Sequence, residues 1–167
     1  MLAAQALLAL IAFLLGAALF SFMNVVAWRL PRGKDPLTGR SFCPQCGAML
    51  TAADLVPVFS WLALHGRCRH CGARIPARYL AVELLGGVLA LGCRWRFGAA
   101  YALADGLFGI RWQGLAALAL CGVLLSIALI DAETQLIPNR LNAAVAVLAV
   151  VGLLLSPARW GGCVVGA

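Results

Sequence analysis

The sequence predicts an all-α polytopic membrane protein of about four transmembrane helices, interrupted once by a small polar insert. Three observations carry that expectation. Of the 167 residues, 63% are hydrophobic and only 11% are charged, where soluble domains carry about 25% charged residues. Mean hydropathy is +0.96. The charge is also gathered in one place: eight Lys/Arg and two acids fall between Arg29 and Arg78, giving that stretch +6 of the chain's +7. This balance excludes a disordered chain, a nucleic-acid-binding tail and an ordinary soluble domain. No nucleic-acid partner is expected, and membrane lipid is.

The first expected element is residues 1–28, which hold no charged side chain. A helix of about 20 residues crosses a hydrocarbon core of about 30 Å. A signal peptide would carry its positive charge before the apolar run, whereas here the charges follow it, in WRLPRGK. The positive-inside rule then puts the N-terminus outside and Arg29 in the cytoplasm. The second run, 79–93, has only 15 residues. It must borrow turns at its ends, with Arg78, Arg94 and Arg96 reaching for the interfaces. Runs of 18 uncharged residues at 113–130 and 141–158 supply the third and fourth spans. The stretch 94–112 between the second and third spans is mixed and glycine-containing, and reads as a loop with interfacial aromatics. Three segments result: a first helix over 1–28, a cytoplasmic insert over 29–78, and the remaining helices and tail over 79–167.

The insert carries the clearest chemistry. Cys43-Pro-Gln-Cys46-Gly and Cys68-Arg-His-Cys71-Gly are two C-x-x-C-G knuckles, separated by 21 residues. Two such knuckles can close four thiolates around one tetrahedral Zn²⁺, and the glycine after each second cysteine permits the tight turn. A Cys₄ shell leaves no position open for water, so the expected role is structural. In an insert with little apolar core, the metal would supply much of the folding energy. A redox dithiol is the competing reading of a lone C-x-x-C, and disulfides are disfavoured in a reducing cytoplasm. His65 and His70 then read as surface residues. Cys93, Cys121 and Cys163 lie in apolar runs and read as packing residues.

Carboxylates near lipid each need an account. Glu83 lies near the start of the second span, where it is expected to pair with Arg78 or another basic group, with a substrate-facing role as the alternative. Asp105 is expected to be solvated. Asp131 stands at the end of the third span, where the helix macrodipole disfavours an acid. That mild cost leaves two readings open, a solvated helix-terminal carboxylate and a functional one. Glu133 should face another side of the helix. Aspartic proteolysis needs two carboxylates, one to activate water and one, protonated, to assist the carbonyl and leaving group.

In order, FSFMNVVAWRLP (20–31), CPQC (43–46), DLVPVFSWLALHGRCRHCGARIPARYLAVELLGG (54–87) and LIDAETQLIPN (129–139) resemble the bacterial prepilin peptidases, over roughly residues 20–142. The resemblance implies a multi-pass aspartic endopeptidase of the bacterial inner membrane. Such an enzyme cleaves the basic leader peptides of prepilins and pseudopilins on the cytoplasmic side. It also implies N-methylation of the new N-terminus with S-adenosylmethionine, whose binding residues the sequence does not point to. By position, Asp131 matches the family's first catalytic aspartate, and Cys43, Cys46, Cys68 and Cys71 match its zinc-binding cysteines. The family's second aspartate belongs to a G-x-G-D motif, and no such motif occurs in these 167 residues. The chain is therefore expected to be either the N-terminal part of a longer enzyme or a naturally shortened relative, and inactive alone. The rival expectation is a non-catalytic membrane zinc module that binds pilin-assembly partners. A membrane thiol oxidoreductase is a third.

Overall fold

A computed structural model describes residues 2–96, 112–135 and 139–154. Among them the chain forms five helices: α1 (Leu2–Arg29), α2 (Phe59–Ala63), α3 (Ala77–Arg96), α4 (Trp112–Thr134) and α5 (Asn139–Leu154). Short 3-10 turns follow α1 and precede α2. No strand forms among the described residues; the insert holds two isolated antiparallel bridges, Phe42 with Met49 and Arg67 with Arg74. The loop expected over 94–112 is helical at both ends, as α3 runs to Arg96 and α4 begins at Trp112. Asp105, Cys163 and the last residues of the fourth expected span lie outside the described residues.

Among the described residues, two helices are long and apolar enough to cross a membrane, over Ala3–Arg32 and Gly114–Thr134. Helix α3 extends the short 79–93 run to 20 residues, as a short span requires, but it carries Arg78, Glu83, Arg94 and Arg96. Helix α5 is 16 residues long. Within the described residues the four expected apolar runs are four helices, of which two meet the length and composition of a span.

Helices α1 and α3 run antiparallel and very close together. At one end the Arg94 guanidinium donates to the Gln5 side-chain carbonyl. Midway, a Cβ placed on Gly16 would lie 2.4 Å from the Gly86 carbonyl oxygen and 2.5 Å from the Ala90 Cβ. A Cβ on Gly86 would lie 2.5 Å from that of Phe20. Small residues at this crossing let two backbones approach without side chains between them, the common solution where lipid removes the hydrophobic drive for helix pairing. Helix α4 completes the three-helix body. Phe20, Val82, Ala90 and Leu118 form one buried cluster, with Cys93 and Cys121 packed against it, as expected of those thiols. Val26, Ala27, Ile130 and Leu141 form a second, which ties α1, α4 and α5 at the end where the insert leaves the bundle.

The insert starts from Arg29, which is buried at the end of α1. Its guanidinium donates to the Thr38 carbonyl at 2.6 Å and the Arg40 carbonyl at 3.1 Å, with longer contacts to the carbonyls of Asp35, Pro36 and Gly39. A planar five-donor fork suits such a ring of oxygens. The loop 35–40 therefore folds around one side chain rather than around an apolar core. Beside it, the Trp28 ring lies under Arg32 and Lys34 and meets Phe42 edge-on.

Candidate functional site

The two C-x-x-C-G segments fold as near copies of each other. In the first, the Gly47 amide donates to the Cys43 carbonyl at 2.9 Å, and the Cys43 amide to that of Ala48 at 2.9 Å. In the second, Gly72 donates to Cys68 at 3.0 Å and Cys68 to Ala73 at 2.8 Å. Gly47 and Gly72 both have φ of 70°, a conformation that costs glycine nothing and other residues strain. The 21 residues between the knuckles return the chain so that all four sulfurs lie within 4.8 Å of one another. None is in a disulfide.

The donor set fits a tetrahedral metal. With Zn–S bonds of about 2.3 Å, the sulfurs of a tetrahedron stand about 3.8 Å apart; Cys43 Sγ and Cys71 Sγ are 3.9 Å apart. Cys43 and Cys68 are buried and Cys46 and Cys71 exposed. The amides of Cys46 and Gln45 hold the Cys43 thiol down at about 7, and those of Cys71 and His70 lower Cys68. For Cys71 the Ala73 amide lowers the value, but burial and the Cys46, Cys68 and Cys43 thiols outweigh it and push it up to about 11. Amide donors thus shift two thiols toward the thiolate, and crowding keeps the proton on a third, the pattern a cation would resolve. His65 and His70 are exposed, as expected.

A polar strut joins the second knuckle to the linker before α2. The Thr51 hydroxyl and amide donate to Asp54, at 2.7 Å and 3.1 Å, and Arg69 forms an ion pair with it at 2.8 Å. The Thr51 hydroxyl, the Thr51 amide and then Arg69 hold the Asp54 carboxyl down at about 2.

The acids fall differently from the sequence expectation. Among the described residues, Glu83 pairs with no basic group. Its Oε1 accepts from the Ser21 hydroxyl at 2.7 Å and its Oε2 from the Val58 amide at 2.7 Å. Arg78 instead forms an ion pair with Glu133, joining the start of α3 to the end of α4. Asp131 is exposed in the last turn of α4, one residue past the buried Ile130. No hydrogen bond or ion pair engages its carboxylate among the described residues. It stands apart from the four-cysteine cluster, at the end of the bundle from which the insert projects. The Ser21–Glu83–Val58 contact and the Arg29 loop were not foreseen. Polar residues within the apolar runs are their only sequence signal, and such residues do not reveal their partners.

These features define a mostly helical protein with two helices able to cross a membrane and an insert whose four cysteines could hold a metal ion. The family model for the bacterial peptidase A24 N-terminal domain matches residues 14–97, which span most of α1, the whole insert and α3. The chain is 40% identical over 132 residues to the prepilin leader peptidase/N-methyltransferase of Myxococcus xanthus, covering 79% of this chain and 36% of that one. It is 39% identical over 156 residues to that of Burkholderia pseudomallei strain 1026b, covering 78% and 47%. With the Aeromonas hydrophila protein of the same name it shares 34% identity over 174 residues, covering 90% and 52%. The matches thus cover between about a third and a half of these curated relatives. No solved structure matches the chain. The chain belongs to the prepilin leader peptidase/N-methyltransferase family, and the match covers its N-terminal domain.

Proposed function

We propose that the chain is part of an enzyme that cleaves the leader from prepilins or pseudopilins by aspartic proteolysis. The same enzyme would methylate the new N-terminus from S-adenosylmethionine. Asp131 supplies one of the two carboxylates. The observation that carries this reading is its setting: an acid at an unfavourable helix terminus, exposed and without a partner among the described residues, while its neighbour Glu133 is held by Arg78. An unengaged carboxylate at the bundle end is free to bind water and meet a partner carboxylate, which the family places in a G-x-G-D motif absent from these residues.

Cys43, Cys46, Cys68 and Cys71 hold Zn²⁺, which stabilises the insert and takes no part in proteolysis. The insert's positive charge supports a cytoplasmic insert with the N-terminus outside, the insert lying on the side of the bacterial inner membrane where leaders are cut. The test is cleavage of a prepilin by the full-length protein in membranes. Asp131→Asn should lower it roughly 10²–10⁴-fold, the range for loss of a general acid–base group. Zinc content and methyl transfer to an already cleaved pilin should persist. Full cleavage by Asp131→Asn would remove the catalytic assignment.

A further inference from the structure

The insert does not simply project from the bundle. Val58 touches Glu83, five residues past Arg78 on α3, or about 7.5 Å along the helix from the Arg78–Glu133 ion pair. Ser21, the other partner of Glu83, lies eight residues before the end of α1, about 12 Å inward. One loop of the insert therefore turns back beside the spanning helices, deeper than the ionic layer.

That loop is built for a place without water. Residues 55–64 carry no charge. Pro57 has no amide hydrogen to satisfy. The Val58 amide is taken by Glu83, that of Phe59 by the Pro57 carbonyl at 2.7 Å, that of Ser60 by Val56 at 3.0 Å and that of Leu62 by Val58 at 3.1 Å. Val58 holds φ at 65°, a strained value for a β-branched residue. The buried carboxylate fixes this turn. Non-helical backbone survives at membrane depth only with its polar groups satisfied in this way. Val58 is buried, yet four apolar side chains of this loop do not pack inward: Phe59 is 54% and Leu62 52% exposed, with Leu55 and Val56 beside them. Exposed Arg67 and Arg74 follow soon after it in the chain, on a pair of bridged residues.

We propose that Leu55–Leu62 is a re-entrant turn whose face of Leu55, Val56, Phe59 and Leu62 enters the acyl region of the adjoining leaflet. Arg67 and Arg74 meet anionic lipid headgroups above it. Trp61 carries this anchorage to the metal centre, because its ring lies against Gly66 and its indole N–H reaches the Ile75 carbonyl.

The test uses the full-length protein in vesicles of phosphatidylethanolamine and phosphatidylglycerol. A benzophenone amino acid replaces Phe59, Leu62 or, as a control, Gln45 in the first knuckle, and zinc content reports folding. Lipid adducts at 59 and 62 but not at 45 are expected. Adducts to a second copy, adducts to an added prepilin that displace the lipid, or equal yields at all three positions would overturn the proposal. Hydroxyl-radical footprinting of the unaltered protein gives an independent reading. Phe42 is less exposed in the fold than Phe59, yet it should be the more oxidised in vesicles; the opposite order would overturn the proposal.

Discussion

Glu83 and Val58 join the two parts of this molecule: a carboxylate on a bundle helix accepts, at 2.7 Å, the backbone amide of a strained turn in the insert. A buried acid is costly unless its oxygens are bonded, and here each oxygen has one donor, since Ser21 takes the other. The pairing accounts for an acid that composition alone leaves as a puzzle among apolar residues.

Truncation of that acid should loosen the insert. Glu83→Ala orphans the Val58 amide, a loss of about 1–3 kcal/mol for a buried unsatisfied group. Glu83→Gln keeps one carbonyl acceptor, and the Ser21 hydroxyl can turn to accept from the new amide, so its loss should be smaller. Thermal unfolding of the purified full-length protein should rank wild type above Glu83→Gln, and Glu83→Ala lowest. Equal stability for all three would show that the contact contributes nothing.

Metal removal should act on the insert first. Structural zinc contributes about 10–16 kcal/mol of apparent binding free energy in small zinc-dependent peptides. Outside its metal site, the insert's order rests mainly on the Arg29 loop, the Asp54–Arg69 strut and the Glu83–Val58 contact. A strong chelator, or Cys43→Ser or Cys68→Ser, should make Arg67 and Arg74 susceptible to trypsin while the α1–α3 pair stays helical by circular dichroism. His70→Ala should leave the metal content at one ion per chain. A fall in metal content on His70→Ala would contradict the four-sulfur assignment.

The limits of the sequence reading follow from these contacts. The knuckles were legible because ligand spacing and the following glycine are local requirements, met by Cys43–Gly47 and again by Cys68–Gly72. The apolar runs were legible because lipid demands them. The partner of Glu83 was not, since the nearest base in sequence, Arg78, is drawn to Glu133 on another helix. Arg29 was counted as one charge of a basic flank, yet its role depends on a loop closing ten residues later. Both are contacts across the fold, which a pattern along the chain does not encode.

Arg29→Lys should separate charge from geometry. The ammonium keeps the charge but is a point donor, so it cannot span the Thr38 and Arg40 carbonyls as the guanidinium does. Amide exchange over 35–42 should accelerate in Arg29→Lys, while that of α3 stays unchanged. Wild-type protection of the loop in Arg29→Lys would mean that the positive flank alone orders it.

The crossing of α1 and α3 yields the sharpest contrast, because two glycines of one helix should respond in opposite directions. At Gly86 a new Cβ would meet the Phe20 side chain at 2.5 Å and the Gly16 carbonyl oxygen at 2.6 Å, and backbone cannot yield without parting the helices. At Gly92 nothing lies within 4 Å of it. Gly92→Ala should therefore gain helix propensity, up to about 1 kcal/mol. Gly86→Ala forgoes that gain and adds overpacking of about 1–3 kcal/mol. Gly16→Ala should behave like Gly86→Ala, since its Cβ would strike the Gly86 carbonyl oxygen at 2.4 Å. Unfolding in detergent should raise the midpoint for Gly92→Ala and lower it for the other two. A common sign for all three would show that the small residues serve flexibility rather than close approach.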